Sequence, residues 1–89
     1  MPTPDFRLQI EDSFMVKGRG TAVIGRLISG DTASGEPVCV QTDDGKTRRI
    51  DDVVVDLDFK GESDQRAVML RGVNKEQVPR GAMLLACDS

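Results

Sequence analysis

Apolar and polar residues alternate with a period of two in several short runs along the chain, which is the pattern of half-buried β-strands. In the first run Phe6, Leu8 and Ile10 alternate with charged and amide side chains. Further strands are predicted, in chain order, over residues 21–28, 38–42, 48–59, 66–70 and 82–86. Almost no stretch has a helical period, so the chain is predicted to be all-β with six or seven strands.

Turn-forming residues separate the predicted strands. The segment Asp43-Asp44-Gly45-Lys46 indicates a type I′ hairpin turn, since Asp-Gly provides the positive φ angles that this turn requires. Asn74 is expected to cap a single helical turn that Pro79 ends. The turns and bends that the fold needs are assigned to six glycines: Gly18, Gly20, Gly25, Gly45, Gly72 and Gly81.

The longest predicted strand, residues 48–59, changes phase once. One of its faces carries four apolar residues: Val53, Val55, Leu57 and Phe59. Ile50 is out of step with this face, so a bulge is expected at Asp51-Asp52. Gly25 lies inside the second strand, where a glycine likewise suggests a bulge or a tight bend.

Many short strands in a short chain favour closure of the sheet, because closure removes exposed strand edges. The predicted fold is therefore a small closed antiparallel β-barrel of Greek-key type. A length of 89 residues allows one domain only. Residues 1–5 are expected to be a loose N-terminal tail, and residues 6–89 to form the single barrel domain.

The formal net charge of −3 narrows the range of partners. Sequence-independent binding to nucleic acid or to anionic lipid needs a basic surface, so neither DNA nor a membrane is expected as a partner. A small local contact with a nucleic acid stays open. No apolar run reaches the roughly 20 residues of a membrane span and no targeting pattern is found, so a cytoplasmic location is expected.

The chain has no histidine, and its fragments of catalytic motifs fail on spacing. Gly45-Lys46-Thr47 lacks the earlier glycine of a phosphate-binding loop, where Val40 stands. Gly18-Arg19-Gly20 lacks the third glycine of a dinucleotide-binding fingerprint. Asp56 and Asp58 begin the spacing of a calcium loop that later residues break, so a solvated strand face explains them better. We therefore expect no catalysis, no metal site and no cofactor.

Cys39 and Cys87 are the only cysteines, which is too few for a disulfide-rich secreted scaffold. A single bridge between them would close a long loop and remains an alternative. Two buried free thiols are favoured, because Cys39 lies between two valines on a predicted strand. Two thiolates without histidine also leave a tetrahedral zinc site half empty.

Two blocks of the sequence resemble a known family. The first block contains Ile10-Glu11-Asp12-Ser13-Phe14, Gly18-Arg19-Gly20-Thr21-Ala22-Val23, Gly25-Arg26 and Ser29-Gly30, and the second contains residues 70–76, Val78 and Arg80-Gly81. In this order and spacing they are similar to the second domain of translational GTPases, elongation factor Tu and its eukaryotic counterpart above all. The resemblance implies a small antiparallel β-barrel that packs beside a nucleotide-binding domain. In elongation factor Tu this barrel also holds the aminoacylated 3′ end of tRNA.

The resemblance also implies a binding pocket between strands. Glu11, Asp12 and Phe14 stand where the family has an acidic pair and an aromatic residue near the terminal nucleotide and the aminoacyl group. An apolar ring beside carboxylates is chemically suited to receive a base and its ribose hydroxyls.

Three further positions of the implied pocket differ from elongation factor Tu. Gln65 replaces an asparagine, Met69 replaces a leucine, and Ile24 replaces a threonine and so loses a hydroxyl. The loop from Val55 to Asp64 is a few residues shorter than the family's segment. The family's glutamate and arginine that clasp the terminal adenosine have no counterpart in this loop.

Together these features predict a non-catalytic binding module that resembles domain 2 of elongation factor Tu and lacks the GTPase domain. Its rim at Glu11–Phe14 is expected to contact an RNA 3′ end, such as the acceptor end of tRNA, or a protein partner such as a GTPase domain or a ribosomal protein. The alternative is a fragment or accessory subunit of a larger GTP-dependent factor of translation elongation, docking on its GTPase domain.

Overall fold

The alternating runs form strands in the computed structural model, which describes residues 5–56 and 59–87. Seven strands occur in chain order: β1 Arg7–Val16, β2 Gly20–Ser29, β3 Val38–Gln41, β4 Thr47–Ile50, β5 Val53–Val55, β6 Gln65–Arg71 and β7 Met83–Ala86. A single 3₁₀ turn, Lys75–Gln77, follows Asn74 as predicted. The predicted all-β fold class is confirmed. In the described part of the chain, no helix is long and apolar enough to cross a membrane.

All seven strands belong to one antiparallel sheet, in the order β4-β3-β7-β1-β2-β6-β5. The predicted closure of this sheet is not observed, because β4 and β5 are its two edges and do not pair within the described residues. The chain leaves β4 at Asp51 and turns towards β6 instead, where Arg71 N donates a hydrogen bond to Asp52 O at 3.0 Å.

The sheet curls around one hydrophobic core, although its two edge strands are not joined by hydrogen bonds in the described residues. The core residues come from every strand, from the residue before β1 and from the loop before β7: Phe6, Leu8, Ile10, Val23, Val38, Val40, Ile50, Val53, Val55, Val68, Leu70, Val73, Val78, Ala82 and Leu84. Ile50 on one edge and Val53 on the other belong to this same cluster. The two edges therefore share the apolar interior, and their outward sides face solvent.

The predicted strand over residues 48–59 is two strands, β4 and β5, with a break where a bulge was expected. Asp51 and Asp52 lie in neither strand. Within β5, Val54 is exposed between two buried valines, which confirms the predicted alternation there. Leu57 and Asp58 of that prediction, and residues 1–4 of the predicted tail, lie outside the described residues.

The turn between β3 and β4 differs from the predicted type I′ turn. Gly45 has a φ of 83°, but no residue other than glycine has a positive φ in the described chain, so Asp44 cannot occupy the other left-handed position. Gly45 N instead donates to Thr42 O at 2.9 Å, and Thr42 N donates to Lys46 O at 3.0 Å. These bonds define a turn with a single left-handed glycine.

Cys39 and Cys87 are joined by a disulfide bond, so the prediction of two free thiols is wrong. Their Cα atoms are 5.3 Å apart, which is the usual separation for bridged cysteines. Val38 and Val40 point into the core, so Cys39 between them lies on the outer side of β3. Cys39 pairs with Leu85, so the end of β7 lies alongside β3. This strand pairing places Cys87 next to Cys39.

Candidate functional site

A β-bulge in β1 determines which side chains of this strand face outward. Ile10 pairs with Gly25 and Asp12 pairs with Ile24, so Glu11 has no partner of its own on β2. The side-chain alternation therefore shifts by one residue, and the next buried residue after Leu8 and Ile10 is Ser13 rather than Asp12. As a result Glu11 and Asp12 lie on the outer side of the sheet together with the next outward residue, Phe14.

Gly25 allows the bulge because the two strands approach closely at this point. A Cβ atom at residue 25 would lie 2.5 Å from Gln9 O and 2.7 Å from Leu8 Cδ2, well inside van der Waals contact. The bulge expected from Gly25 is present, but the extra residue lies on β1, the partner strand, rather than on β2. The other glycines assigned to turns have positive φ angles: Gly18, Gly20, Gly45, Gly72 and Gly81.

The six candidate ligand residues all lie on the outer side of β1, β2 and β6 or at its end. We call this surface the rim face, and it carries Glu11, Asp12, Phe14, Ile24, Gln65 and Met69. Directly paired residues form a row across it, Phe14 beside Ala22, Ala22 beside Met69 and Met69 beside Val54 on β5. Phe14 is 47% exposed and Val54 is 42% exposed, so this row is an apolar strip open to solvent.

The other end of the rim face is an ionic cluster centred on Arg26. Arg26 Nη1 donates to both oxygens of Asp64, at 2.6 and 2.8 Å. The carboxylates of Glu11 and Glu62 each lie 3.5 Å from the same guanidinium group. Gln65 Nε2 donates to Glu11 Oε1 at 3.1 Å, so two of the predicted site residues are in direct contact.

These contacts shift the ionisation of the cluster and hold its loop in place. Hydrogen bonds from Arg26 keep the pKa of Asp64 below its ordinary value. The same contacts with Asp64 and Glu62 raise the pKa of Arg26 further above its ordinary value. Leu27 N also donates to Asp64 O at 2.7 Å, which attaches the loop before β6 to β2.

Asp12 and Ile24 lie between the apolar strip and the ionic cluster. They pair directly across β1 and β2. Asp12 Oδ1 accepts a hydrogen bond from Ser13 N at 2.9 Å, and the guanidinium group of Arg80 is 3.8 Å from the same oxygen. The Asp12 side chain is half-exposed, so its carboxylate is open to a hydrogen-bond donor from solvent or from a ligand.

Sequence reasoning missed three residues that shape the rim face: Arg26, Ala22 and Val54. Arg26 and Ala22 share the outward phase of β2 with Ile24, so alternation alone could have placed them on this surface. Val54 could not have been found in that way, because its position depends on the pairing of β5 with β6.

Comparison with known proteins identifies the kind of chain to which this surface belongs. No family model matches the sequence. The chain is similar to elongation factor 1-alpha of Pyrobaculum arsenaticum (strain DSM 13514 / JCM 11321 / PZ6), with 36% identity over 85 residues. The match covers 93% of this chain but only 19% of the length of that relative. The predicted resemblance is confirmed, and the chain is an all-β protein similar to one segment of a translation elongation factor.

Proposed function

We propose that this protein is a non-catalytic binding module of the translation machinery and that its rim face receives the terminal nucleoside of an RNA 3′ end. The observation that carries the proposal is the composition of the rim face. A half-exposed aromatic ring, Phe14, lies in an apolar strip, and carboxylate and amide groups lie on the same face beyond it. A cytoplasmic location belongs to the same proposal.

The arrangement suits a base and its ribose. A base stacks on the ring of Phe14, with Met69 and Ile24 as apolar neighbours, because every base has an aromatic face. Phe14 and Asp12 both face outward and are two residues apart along β1, which is roughly 7 Å. A base and its ribose hydroxyls are separated by about the same distance. Asp12 then accepts a hydrogen bond from a ribose hydroxyl.

The charge of the rim face limits how RNA can bind. Arg26 is surrounded by three carboxylates, those of Glu11, Glu62 and Asp64, so the ionic cluster is net negative and repels phosphates. Affinity must therefore come from the terminal nucleoside rather than from the backbone. Binding that releases few counterions depends only weakly on salt, in contrast to typical RNA-binding surfaces.

A specific observation favours a second candidate function, docking on a GTPase domain as part of, or accessory to, a larger factor. The relative is about five times longer than the segment that matches this chain, since the match covers 19% of it. The apolar strip of Phe14, Ala22, Met69 and Val54 is also suited to a protein contact. In this alternative the same strip is covered by protein instead of by a base.

The test is an NMR titration of the labelled protein with the trinucleotide CCA, which ends in free ribose hydroxyls. We expect shifts of the amide signals around Glu11, Phe14, Ile24 and Gln65 at millimolar trinucleotide, with little change between low and high salt. CCA carrying a terminal 3′-phosphate is the matched control and should bind more weakly. If none of these amides moves, the RNA-end proposal is wrong.

A parallel titration with the isolated GTPase domain of a translation elongation factor tests the second candidate. Docking is expected to broaden the signals of Phe14, Met69 and Val54. Docking combined with no response to CCA would favour the second candidate over the first, and no response to either would exclude the rim face as the contact surface.

A further inference from the structure

The Cys39–Cys87 disulfide lies outside the hydrophobic core. It joins residues 48 positions apart, from the middle of β3 to the residue that follows β7. Both cysteines are half-buried, and neither belongs to the core cluster. A thiolate can attack a disulfide only at a sulfur that it can reach, and here both cysteines are partly exposed, with Cys39 on the outer side of the sheet.

The strands that the disulfide joins are also held by hydrogen-bonded pairing. β7 pairs with β3 from Val38–Ala86 to Gln41–Met83, and with β1 on its other side. Leu84 of β7 is fully buried in the core. Opening the disulfide therefore leaves β7 in the middle of the sheet and frees the link at Cys87, which directly follows β7.

We propose that Cys39 and Cys87 are a redox modification site, a thiol–disulfide pair that glutathione opens and closes while the domain stays folded. In the first step the thiolate of glutathione attacks one sulfur of the pair. The Cys39–Cys87 S–S bond breaks, a mixed disulfide with glutathione forms, and the released cysteine thiolate takes up a proton. A second glutathione thiolate attacks the glutathione sulfur of the mixed disulfide and releases the second cysteine as a thiol.

The products balance the two-electron reduction: two protein thiols form and two glutathione molecules become one oxidised glutathione. Oxidised glutathione reverses the steps. Loss of this cross-link removes a constraint on a long loop of the unfolded chain, so the unfolding equilibrium constant should rise roughly 30- to 1,000-fold. The local effect should be confined to β3 and the end of β7, because the rim face lies on other strands of the sheet.

The experiment equilibrates the purified protein in buffers of reduced and oxidised glutathione at a series of ratios. Free thiols are then alkylated in acid-quenched samples and counted by mass spectrometry, and amide hydrogen exchange is followed at each ratio. We expect reversible conversion between zero and two alkylated cysteines. Faster exchange is expected at Cys39 and Ala86, whereas exchange at core amides such as Val23 and Leu70 should speed up by no more than the rise in the unfolding equilibrium constant.

Two variants complete the test. In Cys39→Ser, oxidised glutathione should form a mixed disulfide with Cys87, which reports directly on access to that sulfur. The double variant C39S/C87S should show the hydrogen exchange of the reduced protein at every ratio. Failure of excess glutathione to open the pair, failure of Cys87 to react in Cys39→Ser, or core exchange that speeds up by more than the rise in the unfolding equilibrium constant would each overturn the proposal.

Discussion

The outer sides of the two halves of the sheet are built differently. On β3, β4 and β7 the outward surface, which we call the stapled face, carries the Cys39–Cys87 disulfide, and its edge strand exposes the polar residues Thr47, Arg48 and Arg49. The rim face has no covalent link and is organised by a bulge and an ionic cluster instead.

The distribution of exposed apolar side chains makes the contrast sharper. The large hydrophobic residues that are exposed in the described chain all lie on β1, β2 and β5: Phe14, Met15, Ile28 and Val54. Exposed apolar groups contribute little to folding, because they remain in contact with water. Phe14 and Val54 belong to the apolar strip of the rim face, so the exposed apolar surface of this half coincides with the candidate site.

The largest expected effect on stability comes from removing the disulfide of the stapled face. The double variant C39S/C87S should lower the free energy of unfolding by about 2–4 kcal/mol, because a long loop of the unfolded chain is no longer cross-linked. Urea denaturation measures this loss, and the reduced wild-type protein is the matched control. A variant as stable as the oxidised protein would show that the disulfide does not stabilise the fold, and shifted amide signals on the rim face would show that the two faces are coupled.

The bulge of the rim face is the next target. Gly25→Ala should destabilise the protein by about 2 kcal/mol, because its Cβ would press on Gln9 O and on the side chain of Leu8. The variant should also shift the amide signals of Glu11 and Asp12 in NMR spectra. Gly35→Ala is the control, since its Cβ meets nothing within 4 Å and only its positive φ is strained. Equal shifts at Glu11 in both variants would contradict the role given to Gly25.

Phe14 is expected to contribute directly to ligand binding, so its replacement should weaken binding more than replacement of another exposed apolar residue. Phe14→Ala should weaken binding of the CCA trinucleotide by about 1 kcal/mol, through loss of base stacking. Ile28→Ala removes a similarly exposed apolar side chain from β2, outside the candidate residues, and should leave binding unchanged. Isothermal titration calorimetry or NMR shift analysis gives both affinities. Equal losses in the two variants would mean that Phe14 has no special part in recognition.

The smallest expected effect concerns the ionic cluster and appears at acid pH. The pKa of Asp64 is below its ordinary value when the protein is folded, so the unfolded chain binds its proton more readily. The stabilisation from Asp64 is therefore present above the ordinary carboxyl pKa and is lost as the pH falls through the lowered value.

The turn between β3 and β4 provides a matched comparison for Asp64. Hydrogen bonds from the Thr42 side chain and from Lys46 N keep the pKa of Asp44 below its ordinary value as well. In Arg26→Gln, the pKa of Asp64 should rise towards its ordinary value while that of Asp44 does not change. Carboxyl ¹³C shifts followed from pH 7 to acid pH measure both groups, and a fixed Asp64 pKa would contradict the assigned cause.

The strands and much of the core could be predicted from the sequence, because burial on one side of a sheet imposes a period of two on the chain. Leu8 and Ile10 follow that period, and so do Val53 and Val55. The resemblance to translation factors, drawn from glycine and arginine blocks, was confirmed by the relative in Pyrobaculum arsenaticum. These features depend on local pattern, which a single sequence records.

The features that the sequence did not predict depend on register between distant strands. The bulge at Glu11 reverses the phase of β1, so Ser13 is buried and Phe14 is exposed, and alternation from Ile10 alone does not reveal this. The row from Phe14 to Val54 and the Cys39–Cys87 pair arise from cross-strand pairing. The sheet does not close into a barrel because the chain turns towards β6 at Asp52, and no local sequence pattern indicated this turn.

Intermolecular nuclear Overhauser effects between the CCA trinucleotide and the protein most directly test whether the rim face binds an RNA end. If the rim face receives the terminal nucleoside, the adenine protons will show cross-peaks to the ring of Phe14 and to the methyl groups of Met69 and Ile24. Cross-peaks to the stapled face, for example to Arg49 or Leu85, or no cross-peaks at saturating trinucleotide, would contradict it.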